Sequence, residues 1–126
     1  MKQLTIGRLF ELYIDTLNQF SNGLTQEDDL DIENSIFDVF FGGIISYFYS
    51  NSLEKLKNEG MIDELIEEKS LELRLLVLDL RETDYWDIET FKTRVGWEDI
   101  IRLCSELKKL VMERWSQEDL NYLFTH

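Results

Sequence analysis

Hydrophobic positions recur every three to four residues along almost the whole chain, the spacing of helices rather than the alternation of strands. Leu4, Phe10, Tyr13, Ile14, Leu17 and Phe20 fall on one side of a first helix that stops near Asn22-Gly23. Thr25 with Asp28 three residues later resembles a capping box for a second helix, predicted from about residue 27 to about residue 50. Ile32, Ile36, Phe37, Phe40, Ile44, Ile45 and Phe48 form its apolar face, and Phe41, Tyr47 and Tyr49 widen that face until contact on several sides is expected. Gly42-Gly43 lies inside this run, where each glycine costs about 1 kcal/mol relative to alanine, so either a close helix approach or a kink is expected there.

Downstream, Ser52 is the expected cap of a short polar helix over residues 53–59 that ends at Gly60. A long helix follows from Ile62 to about Arg81 with Leu65, Ile66, Leu73, Leu76, Val77 and Leu80 inward. Its apolar density over residues 71–80 also suits a strand, but the Leu, Glu and Arg content favours helix. A short helix is predicted over residues 86–93. A long one over residues 97–114 carries Ile100, Ile101, Cys104, Leu107 and Val111. Ser116 through Asp119 is a capping-type start for a terminal helix with Leu120, Leu123 and Phe124. The fold class read from this pattern is all-α: a single compact helical domain of about five to six helices over residues 1–126, with no internal repeat, low-complexity tract or linker.

Composition agrees. Of 126 residues 44% are hydrophobic and 13% aromatic, enough to build a core, while the absence of proline and the six glycines disfavour a many-turned β-sandwich. The single cysteine leaves no intramolecular disulfide, the N-terminal segment lacks a signal-peptide pattern, and the longest apolar stretch, over residues 36–49, is too short for a membrane span. These features predict a protein of the reducing cytoplasm.

Charge changes the picture most. The chain has 13 basic and 26 acidic residues, for a formal net charge of −13. Residues 27–38 hold six acids and no base, residues 54–68 hold six acids against Lys55 and Lys57, and residues 84–99 hold five acids against Lys92 and Arg94 beside Tyr85, Trp86 and Trp97. Acids at helix starts complement the helix dipole and aid solubility, which accounts for some of them. Self-repulsion at such a charge disfavours the compact state, so a positively charged partner is the physical reason to carry the remainder.

Recognisable catalytic chemistry is missing. The only histidine is His126, so a histidine-based nucleophile arrangement would depend on the last residue. Cys104 sits on the apolar face of its helix and reads as a small buried hydrophobe. Asp29-x-Asp31-x-Glu33 begins like a calcium loop, but Asn34 stands where glycine is needed and Phe40 where the bidentate acid belongs. The acids Asp28, Asp29 and Asp31 read as a solvated helix start rather than a metal site. No cofactor, no metal and no enzymatic activity are expected, and Lys108, Lys109 and Arg114 are too few for a nucleic-acid surface.

In its size, its acidic helical runs at residues 27–38 and 54–68 and its lack of catalytic motifs, the chain resembles the small acidic cytosolic immunity proteins of bacterial contact-dependent inhibition and colicin systems. The resemblance implies a protein that binds and blocks a basic toxin, in particular a nuclease, whose cleft must be positive to hold its polyanionic substrate. It would contact that partner through Asp28, Asp29, Asp31, Glu33, Glu64, Glu67, Glu68 and Trp86. Two alternatives use the same features. One is a nucleic-acid mimic of the anti-restriction or anti-CRISPR type. The other is a self-associating structural subunit, a homodimer joined through Phe40, Phe41, Tyr47 and Tyr49.

Overall fold

The computed structural model describes residues 5–19 and 28–124, and every regular element among them is helical. Helix α1 (Ile6–Leu17) begins where the Thr5 side chain accepts the Arg8 amide hydrogen, and it buries Phe10, Tyr13, Ile14 and Leu17. The expectations for Leu4, Phe20, Asn22-Gly23, Thr25 and His126 lie outside the described residues. The next helix starts with Asp28 itself as cap, its carboxylate accepting the Asp31 amide hydrogen at 2.9 Å.

From there a continuous rod runs through α2 (Asp29–Ile32), a π-helical segment (Glu33–Phe40) and α3 (Phe41–Tyr47). Its buried hydrophobic side chains are Ile32, Ile36, Phe40 and Ile44, with Phe48 just past its end, each four positions from the last. An α-helix turns about 100° per residue, so a spacing of four swings a stripe by roughly 40° at each step. The wider turns of a π segment take up part of that drift and hold the stripe against the core. Ile45, expected inward, falls off the four-residue stripe and is 41% exposed.

The rod ends earlier than expected. Phe48 leaves helical geometry, Tyr49 is extended, and α4 (Ser50–Asn58) starts at a new angle with Leu53 and Leu56 buried. Ser52, the expected cap, lies within α4 and donates its hydroxyl to the Ser46 carbonyl at 3.0 Å. At the glycine pair the structure selects close approach. Gly43 is buried against α1, where a Cβ would collide with the Thr16 side chain, whereas Gly42 faces open space.

Helices α5 (Glu64–Arg81) and α7 (Glu98–Arg114) pair antiparallel. Arg114 reaches Asp63 at one end, Lys69 pairs with Glu106 at 3.3 Å midway, and Leu80 meets Gly96 at the other. The run over residues 71–80 is helix, as its composition favours. The inward face of α5 is Ile66, Ser70, Leu73, Val77 and Leu80; Leu65, expected inward, precedes that stripe by one residue and is 48% exposed. Buried Ser70 is satisfied by the Tyr13 hydroxyl at 2.7 Å and by donating to the Ile66 carbonyl, and burial pushes the Tyr13 phenol pKa up. Cys104 is buried on α7 and its thiol pKa is likewise raised by burial.

The remaining elements are α6 (Ile88–Thr93) and α8 (Gln117–Phe124). Helix α8 opens on a reciprocal cap, in which the Asp119 amide donates to Ser116 Oγ and the Ser116 amide donates to the Asp119 carboxylate. Its Phe124 packs edge-on against Phe10 of α1. Full burial of large side chains such as Phe10, Phe40, Phe48 and Phe91 stabilises the fold by about 1.5–3 kcal/mol each. The chain is thus a single all-α domain, as its periodicity predicts. Among the described residues no helix is long and apolar enough to cross a membrane.

Candidate functional site

The period of four that buries Ile32, Ile36 and Phe40 sets a second line beside it: Asp29, Glu33, Phe37 and Phe41. That line faces the segment between α5 and α7. Phe37 meets Trp86 with ring centroids 5.2 Å apart and nearly perpendicular planes, and Phe41 meets the same ring at 5.4 Å. Trp86 in turn stacks on Trp97 at 5.0 Å and 22°. Trp97 is fully buried and donates its indole N–H to the Tyr85 carbonyl at 2.9 Å, which anchors the loop beneath the cluster. Gly96 permits that loop, since its φ is +82° and a Cβ would stand 3.1 Å from Tyr85 Cβ.

A groove of about 710 Å³ opens over these rings. Phe37, Trp86 and Ile88 supply its apolar surface, Asp29 and Glu33 border it from the α2 rod, and Asp87, Glu89 and Lys92 border it from α6. The carboxylates are not equivalent. Asp87 caps α6 by accepting both the amide and hydroxyl hydrogens of Thr90 at 2.7 Å, and these hydrogen bonds hold its pKa below the ordinary aspartate value. Asp29 is ion-paired with Lys92 across the groove. No side-chain hydrogen bond or ion pair from a described residue reaches the Glu33 or Glu89 carboxylate. The Asp29–Lys92 pair is exposed on both sides, and such pairs contribute about 0–1 kcal/mol. Beyond Glu33 and Phe37 the surface continues into a second depression with Leu30, Asn34 and Asp38, where Leu30 is 75% exposed.

Of the residues expected to meet a partner, the fold gathers Asp29, Glu33 and Trp86 into one groove. Trp86 is half-buried, with one part packed on Trp97 and another lining the groove. Asp28 and Asp31 are exposed beside it, and the Asp28 carboxylate is engaged as a helix cap. Glu64, Glu67 and Glu68 are elsewhere, in the first turns of α5, where Glu67 pairs with Lys57 at 3.3 Å. That end of α5 meets the C-terminal end of α7, whereas Trp97 marks the N-terminal end, so about 25 Å of helix separates the two acidic regions.

Phe37, Asp87, Glu89 and Lys92 line the groove although they were not among the expected partner contacts, Phe37 being expected on the apolar face of its helix. The signal for Phe37 was its place four after Glu33, and for Asp87 the Asp-x-x-Thr start of α6. The aromatic excess read as a self-association surface is largely used inside the fold: Phe40 is in the core, Phe41 and Tyr47 pack against it, and Tyr49 remains 47% exposed with Arg74 over its ring. Among the described residues no three His, Cys, Asp or Glu side chains are grouped so as to hold a metal ion. No family model matches the chain, and neither the curated proteins nor the solved structures contain a match to it.

Proposed function

We propose that this protein is an inhibitor of the immunity type, which binds a basic partner protein through the acidic, aromatic-lined groove between the α2 rod and α6. In the class it resembles, that partner is the nuclease domain of a toxin, and the complex forms in the cytoplasm. The observation that supports this reading best is the convergence of Asp29, Glu33 and Glu89 on a groove whose apolar surface includes Trp86 and Phe37. Carboxylates at the border steer a cationic surface and fix its register, and a partly desolvated tryptophan supplies the kind of anchor that dominates binding energy. A net charge of −13 extends that steering over long range at low salt. The compact, ring-floored site fits plugging of a cleft better than imitation of a nucleic acid, for which carboxylates along an extended strip are needed.

Affinity capture from the source cell, with native protein and an Asp29→Lys/Glu33→Lys variant as parallel baits, tests the reading. The expected result is a basic protein retained by the native bait, released by high salt, lost from the variant, and inhibited in a nuclease assay at one-to-one stoichiometry. Equal retention by both baits, or a captured protein whose activity is unaffected, overturns it.

A further inference from the structure

The groove offers more than attraction of positive charge, because aromatic surface lies beside its carboxylates. Its rings form one connected cluster, and that cluster already takes a guanidinium on one side: Arg81 lies over the Phe41 ring, 4.7 Å from its centroid, and Phe41 packs on Trp86. On the groove side, Trp86 and Phe37 line an open volume bordered by Glu33 and Glu89, which have no partner among the described residues. Among the described residues the cation lining that groove is Lys92, bound to Asp29 from α6 and belonging to the chain itself. A planar, weakly hydrated guanidinium can stack on an aromatic surface and present a fork of donors to a carboxylate at once, which a compact ammonium cannot.

We infer that the groove seats an arginine side chain of the partner protein, stacked on Trp86 and paired with Glu33, and that Lys92 is a resident counter-ion which this arginine displaces from Asp29. The inference rests on the proposed partner-binding role of the groove and names the partner side chain that enters it. Lys92 then serves as a threshold. It holds Asp29 in place in the free protein and makes entry by a weaker cation unprofitable.

The test is a titration of the full chain with a blocked Gly-Arg-Gly peptide and its lysine and citrulline counterparts, read from the Trp86 indole resonance in a ¹H–¹⁵N spectrum. The arginine peptide should give a saturable shift, with affinity about threefold above the lysine peptide, and the citrulline peptide none. Lys92→Met should tighten arginine binding about threefold while Lys108→Met leaves it unchanged, and Glu33→Gln should weaken it about threefold while Glu68→Gln leaves it unchanged. A citrulline shift equal to that of arginine, or equal effects of Glu33→Gln and Glu68→Gln, overturns the arginine site. An unchanged affinity in Lys92→Met overturns the displacement. All of these substitutions are at exposed positions, so folding is not at stake. Because the titration needs no partner, the two ideas fail separately. Arginine binding with no groove-dependent partner sinks the inhibitor reading alone, and groove-dependent capture without arginine preference sinks this inference alone.

Discussion

The chain has two acid-rich helix starts of similar sequence, and the fold uses them differently. At α5, Asp63 accepts the Ile66 amide hydrogen at 2.8 Å, Glu67 pairs with Lys57, and Arg114 reaches Asp63 while donating to the Gly60 carbonyl at 2.8 Å. Trp115 closes the same corner by donating its indole N–H to the Met61 carbonyl at 2.8 Å. Two of these acids, Asp63 and Glu67, are therefore spent on joining α4, α5 and α7. At α2 only Asp28 is engaged as a cap, while Asp29 and Glu33 border a groove over Phe37 and Trp86. Equal charge in sequence thus marks a structural joint in one place and an open surface in the other. What separates them is the surroundings: at α5 Asp63 and Glu67 are tied to Arg114 and Lys57, whereas at α2 Lys92 takes Asp29 and aromatic rings floor the groove beside Glu33.

The contrast can be broken most severely from beneath. Trp97→Ala removes the fully buried ring on which Trp86 stacks and should lower stability by about 3–5 kcal/mol in urea unfolding. A loss under about 1 kcal/mol would mean that the groove does not stand on this ring. Next in size is a comparison of charge reversals. Asp29→Lys with Glu33→Lys should slow association of the captured partner at low salt about tenfold more than Glu64→Lys with Glu68→Lys, as measured by stopped flow. Equal slowing by both pairs would reduce the site to net charge.

The caps give a smaller and more local distinction. Asp63→Ala should lower stability by about 1 kcal/mol, and Asp28→Ala by about 0.5 kcal/mol because the α2 turn it caps is exposed, with neither change abolishing capture. Calorimetry together with the pull-down checks both halves of that statement. The smallest effect concerns pH. Hydrogen bonds from Thr90 depress the Asp87 pKa, so the stability it contributes is present above the ordinary aspartate range and is lost as pH falls through the depressed value. Asp87→Asn should accordingly flatten the stability profile below about pH 4 and leave the region near neutrality almost unchanged. An unaltered acid limb would show that this cap does not couple to folding.

Much of the helical framework was legible because burial on a helix follows local spacing. Phe10, Tyr13, Ile14 and Leu17, and later Ile100, Cys104, Leu107 and Val111, repeat at three and four and are buried. Ser116 and Asp119 announced the start of α8 by chemistry that needs no distant partner. The rod over residues 29–47 was legible as a helix but not as a widened one. The spacing of four through Ile32, Ile36, Phe40, Ile44 and Phe48 carries that information only when compared with the pitch of an ideal helix. Ile45 and Leu65 were misplaced for a related reason: a one-residue step rotates a side chain by about 100°, which moves it from core to solvent.

Sequence by itself determined that the chain is all-α and where its acids are concentrated, since composition and helical period are properties of short segments. At Gly42-Gly43 it left a close approach and a kink open, and the fold brings a neighbour to Gly43 but not to Gly42. Tertiary structure alone decided which acids face a groove and which serve as joints. Trp86 and Glu33 lie more than fifty residues apart, and Asp63 and Arg114 likewise, so their meeting depends on the antiparallel pairing of α5 with α7 and on the path of the loop between them. A local pattern specifies a face. What covers that face, or leaves it open, is set by the packing of helices distant in the chain.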